Sequence, residues 1–519
     1  RDYNTVDLSL QTLHEIYLPP FRAAANAGVA TFMSAFNDLN GVPATANHYT
    51  LTRVLRGELG FKGFVISDFN AIGELVPHGY AENRQQAGKK ALLAGVDMDM
   101  VTESFLQDLP ALVEAGEIPE AAVDEAVRRV LRVKFLLGLF DQPYRTVGEK
   151  ETQTLLREDH IAAAREVARR SIVLLKNSNH ILPLKKDLKK IAIVGPLADQ
   201  AADMLGSWAF TGLPRDVATP LEGIRAACDA GVQILHAPGC EVEGERIDGL
   251  ASALEAARGA DVVIAVVGEK ASMSGEAASR LSLNLPGKQE DLLRALHQTG
   301  IPLVVVLING RPLSIPWVER HAAAILEAWQ LGIQAGNAIA DVLFGDYNPS
   351  GRLAATFPYS VGQTPLYYNH PNTGRPTGTF KFTSKYIDGP AEPLYPFGYG
   401  LSYTTFAYSD LVVTPVEPTG GGKIIVSARV ANTGDVAGEE VAQLYVSDVT
   451  ASRVRPVKEL KGFQKFSLQP GESREVRFEL DVSALGFYNE AMEYVVEPGA
   501  FKVWVGPNSR EGLEGMFRI

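Results

Sequence analysis

The 519-residue sequence predicts an α/β architecture followed by an all-β module. Three observations carry that reading. Short, continuously apolar runs, such as residues 64–66, 262–267 and 303–308, have the pattern of strands buried on both faces of a helix-covered parallel sheet. Stretches with helical spacing separate them, so right-handed strand–helix–strand crossovers are expected. From about residue 406 the spacing changes to period two, the mark of half-buried antiparallel strands.

In order along the chain, Leu10, Leu13, Ile16 and Tyr17 share helical spacing after an opening loop. Residues 28–37 read as a strand with a polar end, and Asn40-Gly41 as a turn. A helical stretch at 51–56 leads into Gly60-Phe61-Lys62-Gly63-Phe64-Val65-Ile66-Ser67-Asp68-Phe69, an apolar strand that ends in a polar pair. A helix near 81–93, a third strand at 95–100 and helices at 105–115 and 119–137 follow. These strand–helix units make residues 1–140 the C-terminal part of a (β/α)8 barrel, a TIM-type barrel. The chain opens at Arg1 with no initiator Met and no signal peptide, and the expectation is that earlier barrel strands precede it.

Residues 141–170 read as a polar linker and a connecting helix, with helix expected over 157–177. Residues 171–405 form an α/β sandwich with a mainly parallel sheet, its strands at 191–196, 262–268, 303–310 and 324–329. Within it, residues 345–405 are rich in Gly, Pro and Tyr and read as a long ordered crossover loop. Residues 406–519 alternate at 424–430, 441–446, 475–480 and 501–506, a small antiparallel β-sandwich of the fibronectin type III kind.

A net charge of −12 argues against general affinity for nucleic acid or anionic membrane and suits a neutral substrate. No apolar run approaches the length of a membrane span. Cys228 and Cys240 are the only cysteines; two do not make a disulfide framework or a zinc site, and whether they pair stays open. The nine His show no metal-ligand spacing, and Asp97 and Asp99, alternating on one strand, read as barrel-end structure, so neither metal nor cofactor is expected. Gly195 and Gly268 belong to no nucleotide-loop pattern.

In parallel α/β folds, ligands and catalytic groups collect at the C-terminal ends of strands. Asp68 lies at such an end, where a carboxylate serves as nucleophile, metal ligand or helix cap. Cleavage of a glycosidic bond needs two carboxyl groups. The second candidate is Glu276, in a small-residue loop that leaves the strand at 262–268. The bland alternative is a solvated loop acid, with Glu269 or another group as the proton donor.

At these residues the sequence resembles glycoside hydrolase family 3. Gly63-Phe64-Val65-Ile66-Ser67-Asp68 is similar to that family's nucleophile motif, and the Glu276 loop followed by Leu283-Asn284-Leu285-Pro286 is similar to its acid/base loop. The likeness runs the length of the chain. It includes Met33-Ser34-Ala35-Phe36-Asn37, Leu174-Leu175-Lys176-Asn177, Gly206-Ser207-Trp208, Asn309-Gly310-Arg311-Pro312 and Tyr395-Pro396-Phe397-Gly398-Tyr399-Gly400, and it is nearest to the family's bacterial periplasmic β-glucosidases.

The resemblance implies a barrel, an α/β sandwich and a fibronectin type III-like module. It implies retaining, exo-acting release of terminal β-D-glucosyl residues from β-linked gluco-oligosaccharides or aryl β-glucosides. Asp68 would be the nucleophile and Glu276 the general acid/base, with Met33, Phe36, Phe69 and Ser207 binding substrate. It also implies a periplasmic or secreted location, and a homo-oligomer is compatible with it. Phe36 replaces a Tyr common in the family, and Phe69 stands where many relatives have Trp or His. A sugar-binding Asp, an Arg and a Lys-His pair of earlier barrel strands have no counterpart in residues 1–30. The alternatives are a β-xylosidase or mixed-specificity β-glycosidase, and an inactive carbohydrate-binding fragment of such an enzyme. The β-N-acetylglucosaminidase branch ranks lower, because it takes its acid/base from a barrel His and often lacks the later domains.

Overall fold

The computed structural model describes residues 2–144, 148–416 and 422–519. The chain divides into two compact units: Arg1–Leu155 with Phe487–Val495, and Leu156–Gly486 with Val496–Ile519.

In the first unit, Thr31–Met33 and Phe64–Ile66 pair as parallel strands, with Met33 opposite Ile66. The strand expected at 95–100 is reduced to one bridge, Ile66 to Met98. The cause is local: the Asp97 carboxylate, not a backbone carbonyl, accepts the Val65 N–H at 2.8 Å. Asp97 is buried between Arg56 and Arg129, the latter at 2.8 Å, and Arg56 also donates to the Gly63 carbonyl at 3.0 Å. This cluster therefore ties together the N-terminal end of the strand, which is the structural role read for Asp97.

The helix Arg84–Ala94 starts on the Asn83 side chain and ends at Gly95, whose φ of +118° suits glycine. The helical stretch read at 51–56 lies within Tyr49–Glu58, which is wound as a π-helix. Val65, Ile72, Leu75, Ala87, Ala91 and Val96 form the core beneath these elements. Asn40 and Gly41, both at positive φ, join the short strands Asp38–Leu39 and Val42–Pro43, as the turn reading expected.

Of the four apolar residues at helical spacing near the start, only Leu13 is buried. Leu13–Tyr17 is a π-helical turn, which breaks the regular spacing and leaves Leu10, Ile16 and Tyr17 exposed. A hairpin of Phe487–Tyr488 and Tyr494–Val495 belongs to this same unit. The Tyr488 N–H donates to Glu15 Oε1 at 2.9 Å, and the Tyr488 and His14 ring centroids lie 4.9 Å apart.

The second unit holds a six-stranded sheet. Its order is Val173–Asn177, Ala324–Glu327, Leu303–Ile308, Val262–Gly268, Lys190–Val194 and Gln233–Ala237. All neighbours run parallel except the first pair. Side chains alternate between two cores: Ile193, Ile264, Val266 and Val304 face one, and Val194, Val263, Val267 and Val305 the other.

Three elements differ from the sequence reading. The connecting helix is Glu158–Ser171 and does not continue to 177, because Ile172 is extended and Val173, Leu174 and Leu175 are buried as an antiparallel edge strand. The edge strand Gln233–Ala237 was not anticipated; it is half-buried and begins with an exposed Gln. The segment read as a polar linker carries the short helix Glu149–Thr154.

The remaining part of this unit is a sandwich of three and four antiparallel strands. Its period-two pattern is visible in Lys423–Asn432, where Ile424, Val426, Ala428 and Val430 are buried. No helix among the described residues is long and apolar enough to cross a membrane.

Candidate active site

Because Met33 and Ile66 are paired, the residues after them leave the same C-terminal end of the two parallel strands. Ser67 is fully buried: its N–H donates to the Met98 carbonyl at 2.9 Å, and its Oγ accepts from the Met100 N–H at 2.8 Å. With Ser67 holding the strand end, Asp68 is half-buried and its Oδ1 accepts from the Phe69 N–H at 2.6 Å. Asp68 caps no helix, since the next helical turn starts at Gly73 with Ile72 at its N-cap. Met33 and Phe69 are exposed. Phe36 packs edge-on against Tyr3 at 5.5 Å, and its carbonyl lies 3.0 Å from His78 Nε2.

Glu74 was not singled out by the sequence. Burial pushes its carboxyl above the usual range; His78 pulls it down and the Asp68 charge pushes it further up. Its position six residues after Asp68, with His78 one helical turn on, was the available signal.

In the second unit, Glu276 is exposed in the loop after Val262–Gly268. The loop turns at Gly275, φ +92°, where a Cβ would fall 2.7 Å from Ser207 Oγ and 3.3 Å from Trp208 Nε1. The structure thus brings Ser207 against the backbone beside Glu276. Trp208 and Phe210 are exposed next to it, their rings 6.0 Å apart.

Glu269, the alternative acid, is fully buried. Arg280 Nη1 reaches it at 2.5 Å, Arg311 Nε at 3.2 Å and Ser274 Oγ at 3.2 Å. Enclosed by these groups, it presents no surface to a ligand. Among the described residues no group of three His, Cys, Asp or Glu side chains could hold a metal ion.

Behind Glu269, Glu327 ends its strand with no exposed surface. It accepts from Asn309 Nδ2 at 3.1 Å and from the Trp329 N–H at 3.0 Å. Burial pushes its carboxyl up to about 8, against the pull of those two hydrogen bonds. A carboxyl raised on folding stabilises the protein fully below its unfolded value and loses that contribution as pH rises through the folded one, here from about 4.5 to about 8. Thermal melts should therefore fall more steeply over that range for the wild type than for Glu327→Gln. Equal slopes would show that Glu327 is not neutral in the folded protein.

Residues 172–403 match the Glycosyl hydrolase family 3 C-terminal domain and residues 1–133 the Glycosyl hydrolase family 3 N terminal domain. The chain belongs to glycoside hydrolase family 3. Residues 440–509 of this family 3 glycoside hydrolase match a Fibronectin type III-like domain. It is 47% identical over 546 residues to a periplasmic beta-glucosidase of Salmonella typhimurium, covering 100% of this chain and 71% of that protein. It is 40% identical to a beta-xylosidase of Formosa agariphila, covering 97% of this chain and 71% of the relative. Among solved structures, a mutant beta-glucosidase from Listeria innocua in complex with laminaribiose superposes with a TM-score of 0.95. That pair is 39% identical, over 99% of this chain and 71% of the other. Family 3 membership accounts for the α/β units followed by a β-sandwich.

Proposed function

We propose that this family 3 chain is a retaining, exo-acting β-glucosidase that releases terminal non-reducing β-D-glucosyl residues. The observation that carries the reading is its 47% identity, across its whole length, to a periplasmic β-glucosidase. Asp68, free of cap duty at the C-terminal end of a parallel strand, attacks the anomeric carbon and forms a glycosyl-enzyme. Glu276 protonates the departing oxygen and then deprotonates the water that releases glucose. Met33, Phe36, Phe69 and Ser207 bind the sugar, the exposed Phe69 ring suiting the apolar face of a pyranose. No cofactor enters this scheme. Substrates are β-linked gluco-oligosaccharides such as laminaribiose, or aryl β-glucosides. The relative's name supports a periplasmic or secreted location.

β-Xylosidase or mixed activity is the second reading, favoured by the 40% identity to a β-xylosidase. Purified protein assayed on aryl β-glucoside, aryl β-xyloside and laminaribiose separates the two. Proton NMR of the first product should show the β-anomer of glucose. An α-anomer would refute retention, and a faster xyloside would move the specificity. No turnover on any substrate would leave the carbohydrate-binding alternative.

A further inference from the structure

We propose that Arg311 is a positioning residue for proton transfer, holding the Glu276 loop at both flanks; the proposal rests on Glu276 being the acid/base. Arg311 Nη2 donates to the Met273 carbonyl and, at 2.8 Å, to the Ala278 carbonyl. These carbonyls lie three residues before and two residues after Glu276. One guanidinium therefore gathers the two sides of the loop into a closed turn with Glu276 at its crest.

The clamp is itself anchored. Arg311 Nε meets buried Glu269, whose own N–H donates to the Ile308 carbonyl at 2.7 Å. The Arg311 carbonyl accepts from Asn309 Nδ2 at 2.8 Å, and Asn309 is fully buried against Glu327. Arg280 closes the far end of the loop, bonding Glu269 at 2.5 Å and the Asn284 carbonyl at 3.1 Å. At the near end the Ala271 N–H donates to Asp203 Oδ1 at 2.8 Å. Three strand ends thus converge under one loop.

The loop needs holding. Gly275 has φ +92° and Ala277 φ +59°, so the residues on each side of Glu276 are left-handed, and Ala277 lacks the freedom of glycine. An acid works only within hydrogen-bond reach of the atom it protonates, and a displacement of about 1 Å costs on the order of 10²-fold in rate. Lysine cannot replace the clamp, because its point charge lacks the planar fork that meets two carbonyls and a carboxylate together.

The test compares wild type, Arg311→Lys and Glu276→Ala on two substrates. Laminaribiose has a sugar leaving group that needs a proton; 2,4-dinitrophenyl β-glucoside has one that does not. For Arg311→Lys, kcat/KM on laminaribiose should fall about 10²-fold, and on the dinitrophenyl glucoside by less than about 3-fold, the signature of a lost acid and not of lost binding. The ratio of the two rates on one preparation does not depend on how much protein folds, so poor folding cannot imitate the result. Equal losses on both substrates, or no loss on either, overturn the proposal. If Glu276→Ala shows no such split, the acid/base reading fails and the positioning role with it. If Glu276→Ala splits the substrates and Arg311→Lys does not, only the positioning role fails.

Discussion

Asp68→Asn is expected to abolish turnover. The amide is nearly isosteric, and its Oδ1 still accepts the Phe69 N–H now bonded to the carboxylate at 2.6 Å. What it loses is the ability to attack the anomeric carbon. Removal of a covalent nucleophile should cost roughly 10⁴-fold or more in kcat. The measurement is steady-state hydrolysis of an aryl β-glucoside, with a thermal melt of the variant as the fold control. Activity within tenfold of wild type would place the nucleophile elsewhere.

Glu276→Ala should divide substrates by leaving group. On laminaribiose, loss of the general acid should cost about 10²–10⁴-fold in kcat/KM. On 2,4-dinitrophenyl β-glucoside kcat/KM should hold while kcat falls, because Glu276 also serves as the base that frees glucose from the enzyme. Added azide should restore kcat and yield β-glucosyl azide, the small anion entering the space the side chain left. Normal hydrolysis of laminaribiose by the variant would return Glu276 to the status of a solvated loop acid.

The strand before Asp68 was legible because a fully apolar run follows two glycines and a polar pair closes it. Its neighbour at 95–100 has strand-like spacing, but the Asp97 side chain takes a ladder position and only one bridge forms. Residues 174–177, Leu-Leu-Lys-Asn, favour helix by propensity, and pairing with Ala324–Glu327 overrides that preference. Gln233–Ala237 is not legible in the sequence, because a half-exposed edge strand has no continuous apolar run. At the site, Asp68 and Glu276 stood out as carboxylates after buried strands. The hold on the Glu276 loop did not, because Glu269 and Arg311 lie 42 positions apart in sequence. Only the parallel pairing of Val262–Gly268 with Leu303–Ile308 brings them together.

The hairpin Phe487–Val495 has a consequence for how the chain is made. Glu15 accepts its hydrogen bond from Tyr488, 473 positions later. At about 5–20 residues per second, a ribosome needs roughly 25–95 seconds to cover that distance. For that interval the helical segment carrying His14 and Glu15 is outside the exit tunnel without the strand pair that covers it. The unit that holds Glu15 therefore cannot be completed until the six-stranded sheet of the second unit has already been synthesised.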